Sequence, residues 1–209
     1  MERKKTLLWG TLAIAFSLFC SASLYQTVQR HTPIKMKIAG FPTLGLSSAP
    51  VQVVLIEDFQ CKNCRAFSRK ILPKLQRQYV KEGKVRFTLV PVSFLSGSQW
   101  IANALLEVYH QNPKQFFPYL KEILQYESDL TVAELIRLAR RLNGIDMGQL
   151  ERCINNQCHN EELQQNLAWA QGVMGHQFRT PALYVNGTVG STFSFEAIQY
   201  QIDLYLRKQ

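Results

Sequence analysis

The motif Cys61-Lys62-Asn63-Cys64 stands where one hydrophobic pattern gives way to another, and that position constrains the chain more than any other feature. Residues 51–56, VQVVLI, are apolar with one exception and rich in β-branched side chains, as a buried strand requires. Glu57, Asp58 and Phe59 follow. Beyond the second cysteine, Phe67, Ile71, Leu75 and Tyr79 recur at a spacing of four, which is one face of a helix. The CxxC therefore opens a helix that follows directly on a buried strand. Unpaired backbone N–H groups and the helix dipole stabilise an anion there. A cysteine so placed gives up its proton more readily than a free thiol. Two cysteines on one first turn can close a small disulfide, the arrangement that thiol–disulfide exchange needs. Cys61, at the rim, reads as the exposed nucleophile and Cys64 as the buried resolving thiol. Lys62 adds a positive charge beside the thiolate. The competing readings are a structural disulfide or half of a zinc site. A four-ligand zinc site would need a second Cys/His pair, for which Cys153, Cys158 and His159 are the candidates.

Residues 1–24 stand apart. A short basic start is followed by an uncharged, mostly apolar run over 6–24, which reads as a signal peptide or a membrane anchor. Ser21-Ala22-Ser23 offers small residues for cleavage. Cys20 follows the large Phe19, which argues against lipid attachment. Export places the other cysteines in an oxidising compartment, where they fall into two close pairs, Cys61/Cys64 and Cys153/Cys158. The formal charge is +9, but the basic residues are spread along the chain. That gives no nucleic-acid footprint and suits an exported protein near an anionic membrane.

Residues 25–44 read as a linker and irregular lead-in, with a short edge strand over 35–39, and residues 45–209 as one domain. Pro73 is expected to kink the first helix and Gly83 to end it. A second strand, over 85–94, is parallel to the first if the helix is a crossover. Residues 96–175 have helical texture: Ile101 with Leu105, Phe116 with Leu120, a capping box at Thr131 and Glu134, and starts at Asp146 and Asn160. Strand pattern returns at 182–185, Asn186-Gly187 signals a hairpin, residues 189–192 pair back, and Ser194 caps a last helix. The order is βαβ, helical insertion, ββα.

This combination resembles the DsbA-like thiol–disulfide oxidoreductases of the thioredoxin superfamily, over about 45–205. The resemblance is carried by Asp58-Phe59-Gln60-Cys61-x-x-Cys64, Phe67, Pro73 and Gly83-Lys84-Val85-Arg86-Phe87, then far downstream by Thr180-Pro181 and Val185-Asn186-Gly187. The long helical stretch between the CxxC and Thr180-Pro181 points to DsbA-like proteins rather than to thioredoxin itself. The resemblance implies an α/β, thioredoxin-like fold with a helical insertion between its βαβ and ββα halves. It implies that Thr180-Pro181 is a cis-proline loop facing the CxxC, whose backbone pairs with an extended substrate. It also implies reduced or unfolded exported proteins as substrates, a DsbB-like quinone-linked membrane oxidase as partner, and no metal or organic cofactor. The departure is at the dipeptide, where Lys62-Asn63 replaces a first residue that is most often Pro. An intermediate oxidant is expected for that reason.

Asp58 is either a carboxylate that moves the Cys64 proton or an acid capping the helix. Glu57 reads as a surface residue. The polar interval Asn155-Asn156-Gln157 suits a turn that a Cys153–Cys158 disulfide closes, structural or modulating rather than a second redox site. His31, His110, His159 and His176 show no partner pattern and read as surface or loop residues. The reading is an extracytoplasmic protein disulfide oxidoreductase, in the periplasm or on the outer face of the membrane. Its alternatives are a reductase or isomerase of the same fold, or a non-catalytic chaperone in which the CxxC is structural.

Overall fold

Strand β2 (Val51–Asp58) is the centre of the fold, because every residue in it except Gln52 is buried. In the computed structural model, which describes residues 33–126, 130–192 and 194–208, β2 has a partner on each side. It runs parallel to β3 (Val85–Val92), with Val51 opposite Val85 and Asp58 opposite Val92. It runs antiparallel to β4 (Ala182–Val185), with Val53 opposite Val185. The short strands β1 (Thr43–Leu44) and β5 (Thr188–Val189) close the edges, in the order β1-β3-β2-β4-β5. Residues 1–24, with Cys20 and the expected leader, lie outside the described residues. Among the described residues, no helix is long and apolar enough to cross a membrane.

The pleat sends alternate side chains of β2 to opposite faces. Val51, Val53 and Leu55 enter one core with Phe67, Leu75, Ile198 and Ile202, whereas Val54 and Ile56 enter another with Met36, Ile38 and Ala170. Full burial of such a side chain contributes ~1.5–3 kcal/mol, so helices are held on both faces. Helix α1 (Lys62–Lys70) crosses the first face and breaks at Ile71. Helix α2 (Leu72–Leu75) resumes it and runs into a wider turn of π type over Gln76–Val80. Pro73 supplies no N–H, so continuous α-helical bonding cannot pass through it. The apolar face still continues, and Phe67, Ile71, Leu75 and Tyr79 are all buried.

The insertion consists of α3 (Ser98–Gln111), α4 (Phe116–Ile123), α5 (Val132–Ala139), α6 (Met147–Asn156) and α7 (Asn160–Met174). The capping box at Thr131 and Glu134 is formed, and the Asp146 side chain caps α6. Helix α7 lies against the second face, where Asn166 Nδ2 donates to the Pro91 carbonyl at 3.1 Å. Helix α8 (Phe195–Leu206) returns to the first face, capped by Ser194. The Tyr79 hydroxyl donates to Asp203 of α8 at 3.0 Å.

Two local expectations are corrected. The edge strand is Thr43–Leu44, not 35–39, because Thr43 and Leu44 take up the ladder with Thr88 and Phe87. Residues Met36 and Ile38 instead plug the second core. The hairpin at Asn186-Gly187, both with positive φ (45° and 78°), pairs Val185 with Thr188, so β5 ends at Val189 instead of reaching residue 192. Gly45 is a true backbone requirement, since at φ 92° a Cβ would lie 2.4 Å from the Val85 carbonyl oxygen.

Cys153 and Cys158 are joined by a disulfide that closes the last turn of α6. Gln157 between them takes the left-handed conformation at the helix C-cap. Closing so short a loop restricts the unfolded chain by about 2 kcal/mol on the chain-entropy estimate. Replacing both cysteines with Ser is expected to lower the unfolding free energy in urea by about that amount, while peptide disulfide exchange persists.

Candidate active site

The site forms at the C-terminal ends of β2 and β3, where β2 hands over to α1. Cys61 occupies the N-cap of α1, with extended backbone (φ −67°, ψ 117°) and no side-chain cap bond. Its amide donates to the Asp58 carbonyl at 3.0 Å, and its carbonyl accepts from Arg65 at 3.0 Å. Cys61 is half-buried and Cys64, one turn inside, is 1% exposed; both are free thiols. The Cys61 Sγ donates to the Thr180 carbonyl at 3.5 Å, and the Thr180–Pro181 peptide is cis. Lys62 and Asn63 are exposed.

Beneath Cys64 lies a buried acid, and it is Glu57. Expected at the surface, Glu57 is 1% exposed. Its two carboxylate oxygens accept from the Ser68 hydroxyl at 3.0 and 2.8 Å. Ser68 stands one turn beyond Cys64 on the same helix face. Burial pushes the Glu57 carboxyl up to about 8; Ser68 pulls it back, the Asp58 charge adds to it and the Arg65 guanidinium opposes it. Burial, then the Glu57 charge, raise the Cys64 thiol far above its ordinary value.

Asp58 is also fully buried, but its carboxylate is spent on backbone. One oxygen accepts from Gln60 N at 2.8 Å, the other from Phe94 N at 2.9 Å and Leu95 N at 3.1 Å. These bonds correct the expected capping role. Asp58 does not cap α1, whose N-cap is Cys61, and the carboxylate charge acting on Cys64 is that of Glu57. Asp58 binds the turn before the CxxC to the loop after β3. Arg65, itself buried, donates to the Phe59 carbonyl at 3.3 Å and to the Tyr126 carbonyl of the insertion.

The Asp58-held loop presents Phe94, which is 42% exposed and meets Phe178 edge-to-face at 5.3 Å between ring centroids. Phe178 lies two residues before Thr180. Along α1, a cleft of about 320 Å³ is lined by Asn63, Phe67, Lys70, Ile71, Lys74 and Phe195, among others.

A family model described as Thioredoxin matches residues 39–204. The chain belongs to the thioredoxin family. Within it, the chain is 29% identical over 177 residues to disulfide bond formation protein D of Bacillus subtilis, covering 81% of this chain and 79% of that one. The solved structure of Chlamydia trachomatis DsbA superposes with a TM-score of 0.76 at 30% identity, over 85% of this chain and 97% of that one. Oxidised BdbD from Bacillus subtilis gives 0.77 at 26% identity, over 85% and 98%. This thioredoxin-family chain is a DsbA-like protein disulfide oxidoreductase, and its helical insertion is the DsbA-like elaboration of the fold.

A signal for Glu57 was present in the pleat. It shares the face of Val51, Val53 and Leu55, which is the face that α1 covers, whereas Asp58 follows Val54 and Ile56.

The raised carboxyl has a consequence for stability. Between the ordinary 4.5 and about 8, folded Glu57 keeps a proton that the unfolded chain has lost. Stability from this group is complete below that window and falls as pH rises through it, by about 1.4 kcal/mol per pH unit. Glu57→Gln is expected to remove that slope. Urea unfolding of both proteins in the oxidised form, from about pH 5 to 8, checks it; parallel stability profiles would show that Glu57 ionises normally in the fold.

Proposed function

We propose that this oxidoreductase is exported and introduces disulfide bonds into other extracytoplasmic proteins, using the Cys61–Cys64 pair. The observation that supports this most directly is the inequality of the two thiols, with half-buried Cys61 beside Thr180 and buried Cys64 above Glu57. In the oxidised enzyme, a substrate thiolate attacks the Cys61 sulfur. The Cys61–Cys64 bond breaks, a mixed disulfide forms, and Cys64 leaves with the electron pair. Burial disfavours that thiolate, so it takes a proton, and Glu57, with its carboxyl raised to about 8, is the buried acid suited to deliver it. The second substrate thiolate then attacks the substrate sulfur of the mixed disulfide and releases Cys61. The substrate loses two electrons and the enzyme gains them.

Extended substrate backbone pairs beside Thr180-Pro181, where the absent proline N–H leaves space near Cys61. Phe94 with Phe178, and the cleft along α1, supply apolar contact. A DsbB-like quinone-linked membrane oxidase returns the pair to the disulfide. The leader over 1–24 delivers the domain across the membrane and, if retained, tethers it there. Lys62, exposed next to Cys61, places a positive charge beside the sulfur that an incoming substrate thiolate attacks.

Two measurements test this reading. Cys64→Ser is expected to accumulate mixed disulfides with reduced substrate on non-reducing gels, and Cys61→Ser to accumulate none; equal trapping would remove the assigned roles. Equilibration with glutathione is expected to give a potential between those of thioredoxin and DsbA, about −270 and −120 mV. A value at or below thioredoxin's would make the protein a reductase.

A further inference from the structure

Away from the thiols, α3 and the start of α7 bring two histidines and two glutamates together. The residues come as mirrored pairs, Glu107-x-x-His110 on α3 and His159-x-x-Glu162 at the head of α7. A spacing of three puts each acid and its imidazole on one helix face. A single oxygen of Glu162 faces both rings, 2.8 Å from His110 Nε2 and 3.5 Å from His159 Nδ1. The rings are stacked, with centroids 4.8 Å apart and planes 23° from parallel. The other nitrogen of His159, Nε2, is 2.8 Å from a carboxylate oxygen of Glu107, whose side chain is only 4% exposed.

We propose that His110, His159 and Glu162 bind a divalent transition cation of the zinc type, with Glu107 orienting His159 from behind. The donor set is two imidazole nitrogens and a carboxylate oxygen, which suits zinc in a three-ligand site with its remaining position open to water. Zinc bonds of about 2.0–2.2 Å in a tetrahedron keep such ligand atoms about 3.3 Å apart, and the two separations at Glu162 bracket that value. The ligand atoms of all three residues lie within 4.8 Å of one another. A metal-bound histidine characteristically hands its second nitrogen to a carboxylate or carbonyl, and Glu107 occupies that place. Two carboxylates facing two imidazoles also favour added positive charge.

The frame around the three donors is fixed. Asn103, fully buried on α3, accepts from His159 N at 2.7 Å and donates to the Asn160 side chain at 2.9 Å. The Cys153–Cys158 disulfide ends immediately before His159. Its sulfurs lie within reach of Glu107 and His159, but bonded to each other they offer no thiolate. The ligands are therefore the imidazoles and Glu162, and His110, with 48% of its side chain exposed, leaves the ion open to solvent. An ion held there would clamp α3 to α7.

The test is a titration of the untagged full chain carrying Cys20→Ser with zinc alone, by calorimetry, with both cysteine pairs oxidised so that no thiolate competes. One equivalent is expected to bind. His110→Ala and Glu162→Gln are each expected to weaken binding at least about tenfold, and Glu107→Gln by about ten- to a hundredfold. Cobalt in place of zinc is expected to give visible absorption bands that His110→Ala removes. His110 is exposed and outside the thiol site, so that variant should keep its circular dichroism and its exchange activity. Absence of zinc binding to this parent chain would overturn the proposal. So would equal binding by His110→Ala and Glu162→Gln, or displacement of zinc by equimolar calcium or magnesium.

Discussion

Strand β2 is hydrogen-bonded along both edges and covered on both faces, and the rest of the molecule is arranged around that condition. A strand held in this way cannot slip, because a shift of one residue would exchange its two apolar faces. Its end is therefore fixed in space, and the turn through Phe59 and Gln60 delivers Cys61 to a set position at the head of α1. The β3 end is fixed by the same ladder, and Asp58 joins the two ends through three backbone N–H groups. The cis-proline loop leads directly into β4, the strand on the other edge of β2. All the elements that meet at the thiols are thus neighbours of one strand.

The same rigidity lets the site hold groups that a looser structure would expel. A buried carboxyl and a buried thiol, one above the other, are each disfavoured as anions. Their neutral forms are what the fold accommodates, and the proposed exchange draws on both. Ser68 and Arg65 moderate Glu57, and both belong to the helix that carries the cysteines. Arg65 also reaches the Tyr126 carbonyl, so the insertion is bonded directly to the back of the active-site helix.

Much of this was legible in the chain because the signals are local. The β-branched run, the spacing of Phe67, Ile71, Leu75 and Tyr79, the capping residues Thr131, Asp146 and Ser194, and Asn186-Gly187 each act over a few residues. Pro73 marked the break in the first helix for the same reason. Glu57 was misread as a surface residue because a pair of adjacent acids at a strand end carries no mark of which face will be covered; only the pleat, followed back to Val51, separates them. The lead-in was misread because Met36 and Ile38 are buried by a core drawn from residues far along the chain. The Glu107, His110, His159 and Glu162 cluster depends on α3 meeting α7, which no window of sequence contains, although the two mirrored spacings were present.

The bridge between Cys153 and Cys158 makes the protein a client of the chemistry proposed for it. One of its own two close cysteine pairs ends as a cross-link that closes the last turn of α6, while the other is the pair proposed to make such links. On the proposed function, a second copy oxidised at Cys61 and Cys64 is itself a reagent for closing that cross-link.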